Sequence, residues 1–253
     1  MADPEAGTLY IVSTPIGNLE DITIRAVRVL KEVGIIAAED TRHTKQLCTH
    51  FGITTPLTSY HDFNKEEKTA ILLERLRSGT DVALVSDAGT PVISDPGYFL
   101  ITRSIEAGIR VVPLPGPSAV LAALAASGLP TDCFRFEGFL PRKDGARSKR
   151  IESLREDSAS LILFESPHRI GKLLASLRSI LGNRRAVLAR ELTKRFEEFH
   201  RGTLDELLAQ VQSRPPKGEI TLVVEGAPKR KRLDREETSE KEIGRWPKGH
   251  RPI

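Results

Sequence analysis

Three carboxylates, Asp40, Asp95 and Glu165, stand where the chain's pattern passes from apolar runs into helical spacing. A carboxylate so placed can accept the proton of a hydroxyl, and general-base help of that kind contributes about 10²–10⁴-fold. Asp40, which follows a predicted strand and sits beside Arg42, is the first choice. Each carboxylate also has a plain structural use. Asp40 can cap the helix that follows it. Asp95 can steady the turn into Pro96-Gly97. Glu165 can pair with Arg169 or Arg190. His43 and His168 lie in neighbouring turns, where a lone histidine is more often structural. No GxGxxG, Walker A loop, HExxH or GxSxG occurs, so the usual nucleotide, metal and serine-nucleophile signatures are missing. The chain carries instead four turn-rich segments: STPIGNL at 13–19, EDTRH at 39–43, SDAGTPVISDPG at 86–97 and PLPGPSA at 113–119. Glycine permits close backbone approach to a ligand, and proline holds the loop rigid. Any one of them is what a strand-to-helix turn requires whatever it does. Four on one sheet edge point to a small-molecule pocket.

The elements that must position these segments alternate cleanly. Short β-branched runs predict strands at 9–13, 35–38, 57–60, 82–85 and 110–113. Helical spacing predicts helices at 22–33, capped by Asp21, from Asp40 to about Phe51, from Asn64 through Arg77, at 98–107 and at 117–126. Strand-helix alternation with apolar strands implies a parallel sheet covered on both faces. The second half predicts strands at 134–138, 161–165, 186–190, 197–201 and 220–225, with helices near 147–156, 168–181 and 203–212. Only a hairpin-like step fits between Glu191 and Thr203, so this second sheet is expected to be mixed. The division falls at residues 115–116: an α/β domain over 1–115, a second over 116–227, and a tail over 228–253. The second domain adds FLPRK at 139–143 and ESPHR at 165–169, and a cleft between the two domains would collect both sets of loops.

Composition bounds the class. Of 253 residues, 39% are hydrophobic and 28% charged, as in an ordinary folded protein, and only 5% are aromatic. The net charge of +4 sits in the tail from Pro228, which has nine Lys/Arg and five Asp/Glu; the 29 of each sign before it cancel. The tail lacks apolar periodicity and predicts disorder. A neutral body excludes a wholly basic nucleic-acid coat but allows local patches. The densest, residues 142–150, has five positive charges and one negative; it is either a solvated helix face or a set of phosphate contacts. Two cysteines, Cys48 and Cys133, make neither a disulfide framework nor a zinc site, as expected in a reducing cytoplasm. No apolar run approaches the ~20 residues of a membrane span, and the acidic start does not resemble a signal peptide.

The phrases STPIGNLEDIT, AAEDTRHT, SDAGTPVISDPG, PLPGPSA, FEGFLPRK, FESPHRI and LARELTK, in that order over residues 9–226, together resemble the ribosomal RNA small subunit methyltransferase I family of the tetrapyrrole methylase superfamily. The resemblance implies two α/β/α domains, the first sheet mostly parallel and the second mixed. It implies S-adenosylmethionine as methyl donor in the cleft between them, the 2′-hydroxyl of a cytidine in the decoding region of 16S rRNA as acceptor, a homodimer, and no metal. Matched onto this chain, it assigns the donor to Pro15, Asp87, Ala88, Gly89, Thr90, Ser118 and Ala119 on one side and Ser166, Pro167, Arg190 and Glu191 on the other. Arg42, Lys143, Arg147, Lys149 and Arg150 are the expected phosphate contacts, which position RNA without reading its sequence. The tail departs from the family's pattern. Two readings compete: a methylase of corrin or porphyrinogen precursors, and a non-catalytic RNA- or ribosome-binding module.

Overall fold

The computed structural model describes residues 6–228; the expected tail, apart from Pro228, lies outside them. Among the described residues, ten strands form two five-stranded sheets. The first contains β1 (Thr8–Val12), β2 (Ile35–Ala38), β3 (Leu57–Ser59), β4 (Val82–Val85) and β5 (Arg110–Leu114), in the order β3-β2-β4-β1-β5. Every pairing in it is parallel.

The burial of this sheet explains its sequence. Side chains alternate between its faces, yet Val82–Val85 is buried at all four positions. Ala83 and Val85 pack with α1 (Ile24–Glu32) and α2 (Thr41–Phe51) on one face. Val82 and Leu84 pack with α3 (Lys65–Arg77) and α4 (Tyr98–Glu106) on the other. A strand buried on both faces reads as an unbroken apolar run. Helix ends follow local chemistry. Thr23, not Asp21, caps α1, its hydroxyl accepting from Ala26 N, while Asp21 falls in a single 3₁₀ turn. Asn64 precedes α3 without capping it, because its amide is turned back to His61 N and the Ser59 carbonyl.

The second sheet has the order β6-β7-β10-β8-β9. It comprises β6 (Phe134–Phe139), β7 (Ser160–Glu165), β8 (Arg185–Arg190), β9 (Glu198–Thr203) and β10 (Ile220–Val224). Only β6 and β7 are parallel; β10 runs antiparallel between β7 and β8. Leu161, Leu163, Leu188 and Leu222 point to one face, under α6 (Asp144–Glu152), α7 (Ile170–Leu181) and α8 (Leu204–Ser213). Ile162, Val187 and Val223 point to the other, where α5 (Ala119–Ala125) and Ile16 cover them. The second sheet's inner layer is therefore one short helix, and the apolar cluster it forms reaches the loop after β1. No helix among the described residues is long and apolar enough to cross a membrane.

Candidate active site

The strand order creates the site. Helices α1 and α2, which follow β1 and β2, lie on one face of the first sheet, whereas α4, which follows β4, lies on the other. Since β4 sits between β2 and β1, the connections part in opposite directions at its carboxyl end, and a crevice opens where they part. The loop after β1 crosses this crevice and is tied to the loop after β4: Thr14 N donates to Gly89 O at 2.9 Å, and Gly89 N to Thr14 O at 3.0 Å. Thr90 Oγ1 lies 3.0 Å from Ser13 Oγ and 3.4 Å from Pro117 O, which joins the loop after β5 to the other two.

A cavity of about 370 Å³ lies above this knot, between the two sheets, within the size range of small-molecule sites. The first sheet supplies Ile16, Ala88, Gly89, Thr90 and Ile93–Asp95; Ser118–Val120 lead into and open α5; the second sheet supplies Phe139, Phe164–Pro167 and Gly218–Thr221. Gly89 holds φ +83°, a left-handed conformation that L side chains rarely adopt. An added Cβ there would lie 3.4 Å from Ile16 Cγ2, an ordinary contact, so the backbone conformation rather than crowding demands glycine. Val92 and Ser94 also take positive φ, 77° and 69°. For a β-branched residue this is strain of about 1–3 kcal/mol, the kind that clusters at ligand sites.

Three carboxylates, Asp95, Glu165 and Glu219, line the cavity, and the first two are candidates. Glu165 is buried. Its Oε1 accepts from Ser166 N at 2.8 Å. Arg169 Nη2 lies 3.2 Å from Oε2, yet Nη2 donates to the Leu140 carbonyl, and Oε2 has no hydrogen-bond partner among the described residues. The ion pair is with Arg169, not Arg190, and Oε2 is buried without a hydrogen bond among the described residues. Asp95 is half-buried, and burial, followed by repulsion from Asp87, raises its pKa against a hydrogen bond from Ser86. Burial likewise raises Glu39, with Asp95 and Asp87 adding to it.

Asp40 is otherwise placed. Its Oδ1 accepts from Arg42 N at 2.8 Å, as the cap of α2, and from Arg42 Nε at 3.1 Å, while Oδ2 accepts from Nη2 at 2.7 Å. The Arg42 side-chain hydrogen bonds, before any other cause, hold this carboxyl far below the ordinary carboxylate range. A carboxylate so stabilised is a poor base, and it does not line the cavity. Of the three candidates, the geometry favours Asp95 and Glu165 over Asp40.

The donor assignments divide. Ala88, Gly89, Thr90, Ser118, Ala119, Ser166 and Pro167 share the cavity. Pro15 and Asp87 face a smaller hollow of about 260 Å³ with His43 across the Thr14–Gly89 bridge. Arg190 faces a separate cavity in the second sheet, bonded to Glu198 Oε2 and the Lys217 carbonyl. Glu191 is taken up by Lys194 Nζ and Glu219 N. Residues 218–221 carry no sequence signal of this kind, because ligand loops are sought at the carboxyl ends of strands. Since β10 is antiparallel, its amino end meets the carboxyl ends of β7 and β8, with Ile220 opposite Glu165 and Arg190.

The basic run divides too. Arg147 is buried, with Nε on Ser176 Oγ, Nη1 on the Arg142 carbonyl and Nη2 on Asp144 Oδ1; it belongs to the domain's interior, not to a phosphate. Arg150 makes a bidentate pair with Glu137. Lys143 and Lys149 are exposed, with no side-chain partner among the described residues. Arg42 is exposed but engaged with Asp40. No His/Cys/Asp/Glu group suited to a metal ion occurs among the described residues.

Residues 8–208 match the profile of the Tetrapyrrole (Corrin/Porphyrin) Methylases. Ribosomal RNA small subunit methyltransferase I of Halalkalibacterium halodurans is 53% identical over 222 residues, which is 88% of this chain and 77% of that protein. Its counterpart in Pseudomonas aeruginosa is 52% identical over 87% of this chain and 79% of its own. Among solved structures, a diphthine synthase superposes with a TM-score of 0.67 at 18% identity, covering 87% of this chain and 90% of that one. The uroporphyrin-III-C-methyltransferase of Thermus thermophilus gives 0.60 at 23%, covering 86% and 94%. These two likenesses concern the fold alone. On the profile and on identity across nearly nine-tenths of its length, the chain belongs to the tetrapyrrole methylase superfamily and, within it, to the ribosomal RNA small subunit methyltransferase I family.

Proposed function

We propose that the chain methylates the small-subunit ribosomal RNA, moving the methyl group of S-adenosylmethionine to the 2′-hydroxyl of a cytidine in the decoding region of 16S rRNA. The observation that supports this best is the cavity between the two sheets, where seven of the eleven residues assigned to the donor by resemblance come together with the candidate carboxylates Asp95 and Glu165. The ribosomal substrate is the one named for the relatives; the cytidine and its hydroxyl rest on the family resemblance.

The cavity suits such a donor. Its floor is the glycine turn at Gly89, and its walls include Ile16, Phe139 and Phe164. The bound donor supplies an already activated methyl group, so the chain's part is alignment and exclusion of water, with alignment worth up to ~7–11 kcal/mol. The ties among Thr14, Gly89, Thr90 and Pro117 hold the wall before binding. We assign the hydroxyl proton to Asp95, whose raised pKa suits it, since a base works best with a pKa nearer the working pH. Lys143 and Lys149 are the remaining phosphate contacts in the basic run. We take the two α/β units to meet near residue 115, and the working form to be a cytoplasmic homodimer. Methyl transfer to small ribosomal subunits from a strain lacking this enzyme, with the product nucleoside identified by mass spectrometry, tests the reading. Methyl on a base, on another nucleotide, or none at all refutes it.

A further inference from the structure

A second cavity, of about 400 Å³, lies among β8, β9 and the carboxyl end of α8. Its polar wall is Arg190, Glu198, His200, Gln210, Arg214 and Lys217. Arg190 Nε donates to Glu198 Oε2 at 2.8 Å and Nη1 to the Lys217 carbonyl at 2.9 Å. A guanidinium has five N–H groups, so these bonds leave three without a partner among the described residues, on a side chain only 15% exposed. His200 Nδ1 lies 2.8 Å from Gln210 Nε2, and His200 Nε2 lies 3.2 Å from Glu198 Oε2. With the glutamine amide donating to Nδ1, the Nε2–H of His200 points to Glu198.

The charges do not cancel. Arg190 offsets Glu198. Arg214 and Lys217 have no ion-pair partner among the described residues, which leaves two positive charges. The carboxyl end of α8 contributes roughly half a negative charge, about a quarter of what would neutralise them. Pro215 and Pro216 stand between Arg214 and Lys217. Their rings fix φ at two successive positions, which sets the spacing of the two cations before any ligand arrives. Spare N–H groups on a held guanidinium suit the oxygens of a phosphate, and lysine adds a point charge. The position adds a direction. Lys217 lines this cavity and the next residue, Gly218, lines the donor cavity, one Cα step of about 3.8 Å away.

We propose that this cavity is a phosphate site that holds a phosphodiester of the RNA strand presented to the donor cavity, an inference that rests on the RNA reading above. It explains why Arg190, placed on the donor by resemblance, lies instead in a cationic cavity across the 217–218 step.

The test uses the full chain and a double variant, Arg214→Ala with Lys217→Ala. Both side chains are exposed, so melting temperature and donor affinity should not change. Inorganic phosphate is titrated while the His200 ring resonances are followed. The wild type should show a saturable shift, and the variant little or none. Binding to small ribosomal subunits is then measured across salt concentrations. The variant's slope of log K against log salt should be shallower by roughly one unit for each phosphate no longer neutralised. No phosphate response in the wild type overturns the site. A phosphate response with an unchanged RNA slope overturns the RNA source and leaves a free-anion site. If wild-type protein fails to methylate small subunits, the proposed function falls, and the phosphate titration alone decides whether the cavity is an anion site.

Discussion

Asp95→Asn removes the carboxylate proposed to take the hydroxyl proton and keeps the side chain's shape. Two consequences follow from the geometry, and they have opposite signs. The first concerns rate. Loss of a general base costs about 10²–10⁴-fold, equivalent to about 2.7–5.4 kcal/mol of barrier at 1.36 kcal/mol per factor of ten. The second concerns stability. Burial and then Asp87 raise the folded-state pKa of Asp95 above its unfolded value. The folded protein therefore holds more protons than the unfolded chain between the two values, and its stability falls as pH rises through that window. The asparagine variant loses this penalty, so it should melt at or above the wild-type temperature at pH 7 and show a flatter dependence above pH ~4. The wild-type rate should rise as pH climbs through the raised pKa. Single-turnover transfer from labelled donor to small subunits, with separate binding measurements and melting curves from pH 4 to 8, reads all of this. Asp40→Asn is the control. Asparagine caps a helix about as well as aspartate, and Asp40 is spent on Arg42, so its rate should stay within a few fold. A normal rate for Asp95→Asn, or a 10²-fold loss for Asp40→Asn with binding intact, would refute the assignment.

Gly89→Val places a β-branched side chain at φ +83°; it should cost about 1–3 kcal/mol and abolish donor binding by calorimetry, and wild-type affinity in the folded variant would remove this loop from the site. Lys143→Ala with Lys149→Ala should make the RNA salt slope shallower by roughly one unit per phosphate released with stability within about 0.5 kcal/mol; an unchanged slope would make them a solvated face. Arg147→Ala should do the reverse, lowering stability by about 1–3 kcal/mol through the lost packing of its buried side chain while leaving the slope alone, as urea titration and RNA binding would show. Leu222→Ala, at a fully buried position of the central strand of the second sheet, should cost about 2–5 kcal/mol; a loss under 1 kcal/mol would contradict that packing.

The sequence by itself determined the elements and much of the site's content. Its unbroken apolar runs signal strands buried on both faces, a property of burial that is independent of topology. The loops at 86–97, 113–119 and 165–169 were legible because sharp turns need particular residues, and their members line the cavity between the two sheets. Asp40 as a cap was legible for the same local reason. Tertiary structure decided which residues share a space. Strand order 3-2-4-1-5 set which side of the Thr14–Gly89 bridge each residue faces, and so moved Pro15 and Asp87 across it. The antiparallel β10 brought in residues 218–221, which no motif marks. Partner distance separated Asp40 from Asp95, since a carboxylate's basicity depends on what lies within a few ångströms. Burial turned Arg147 inward while its neighbours Lys143 and Lys149 stayed exposed, a difference that spacing along one helix does not encode because it depends on Ser176, contributed by another helix.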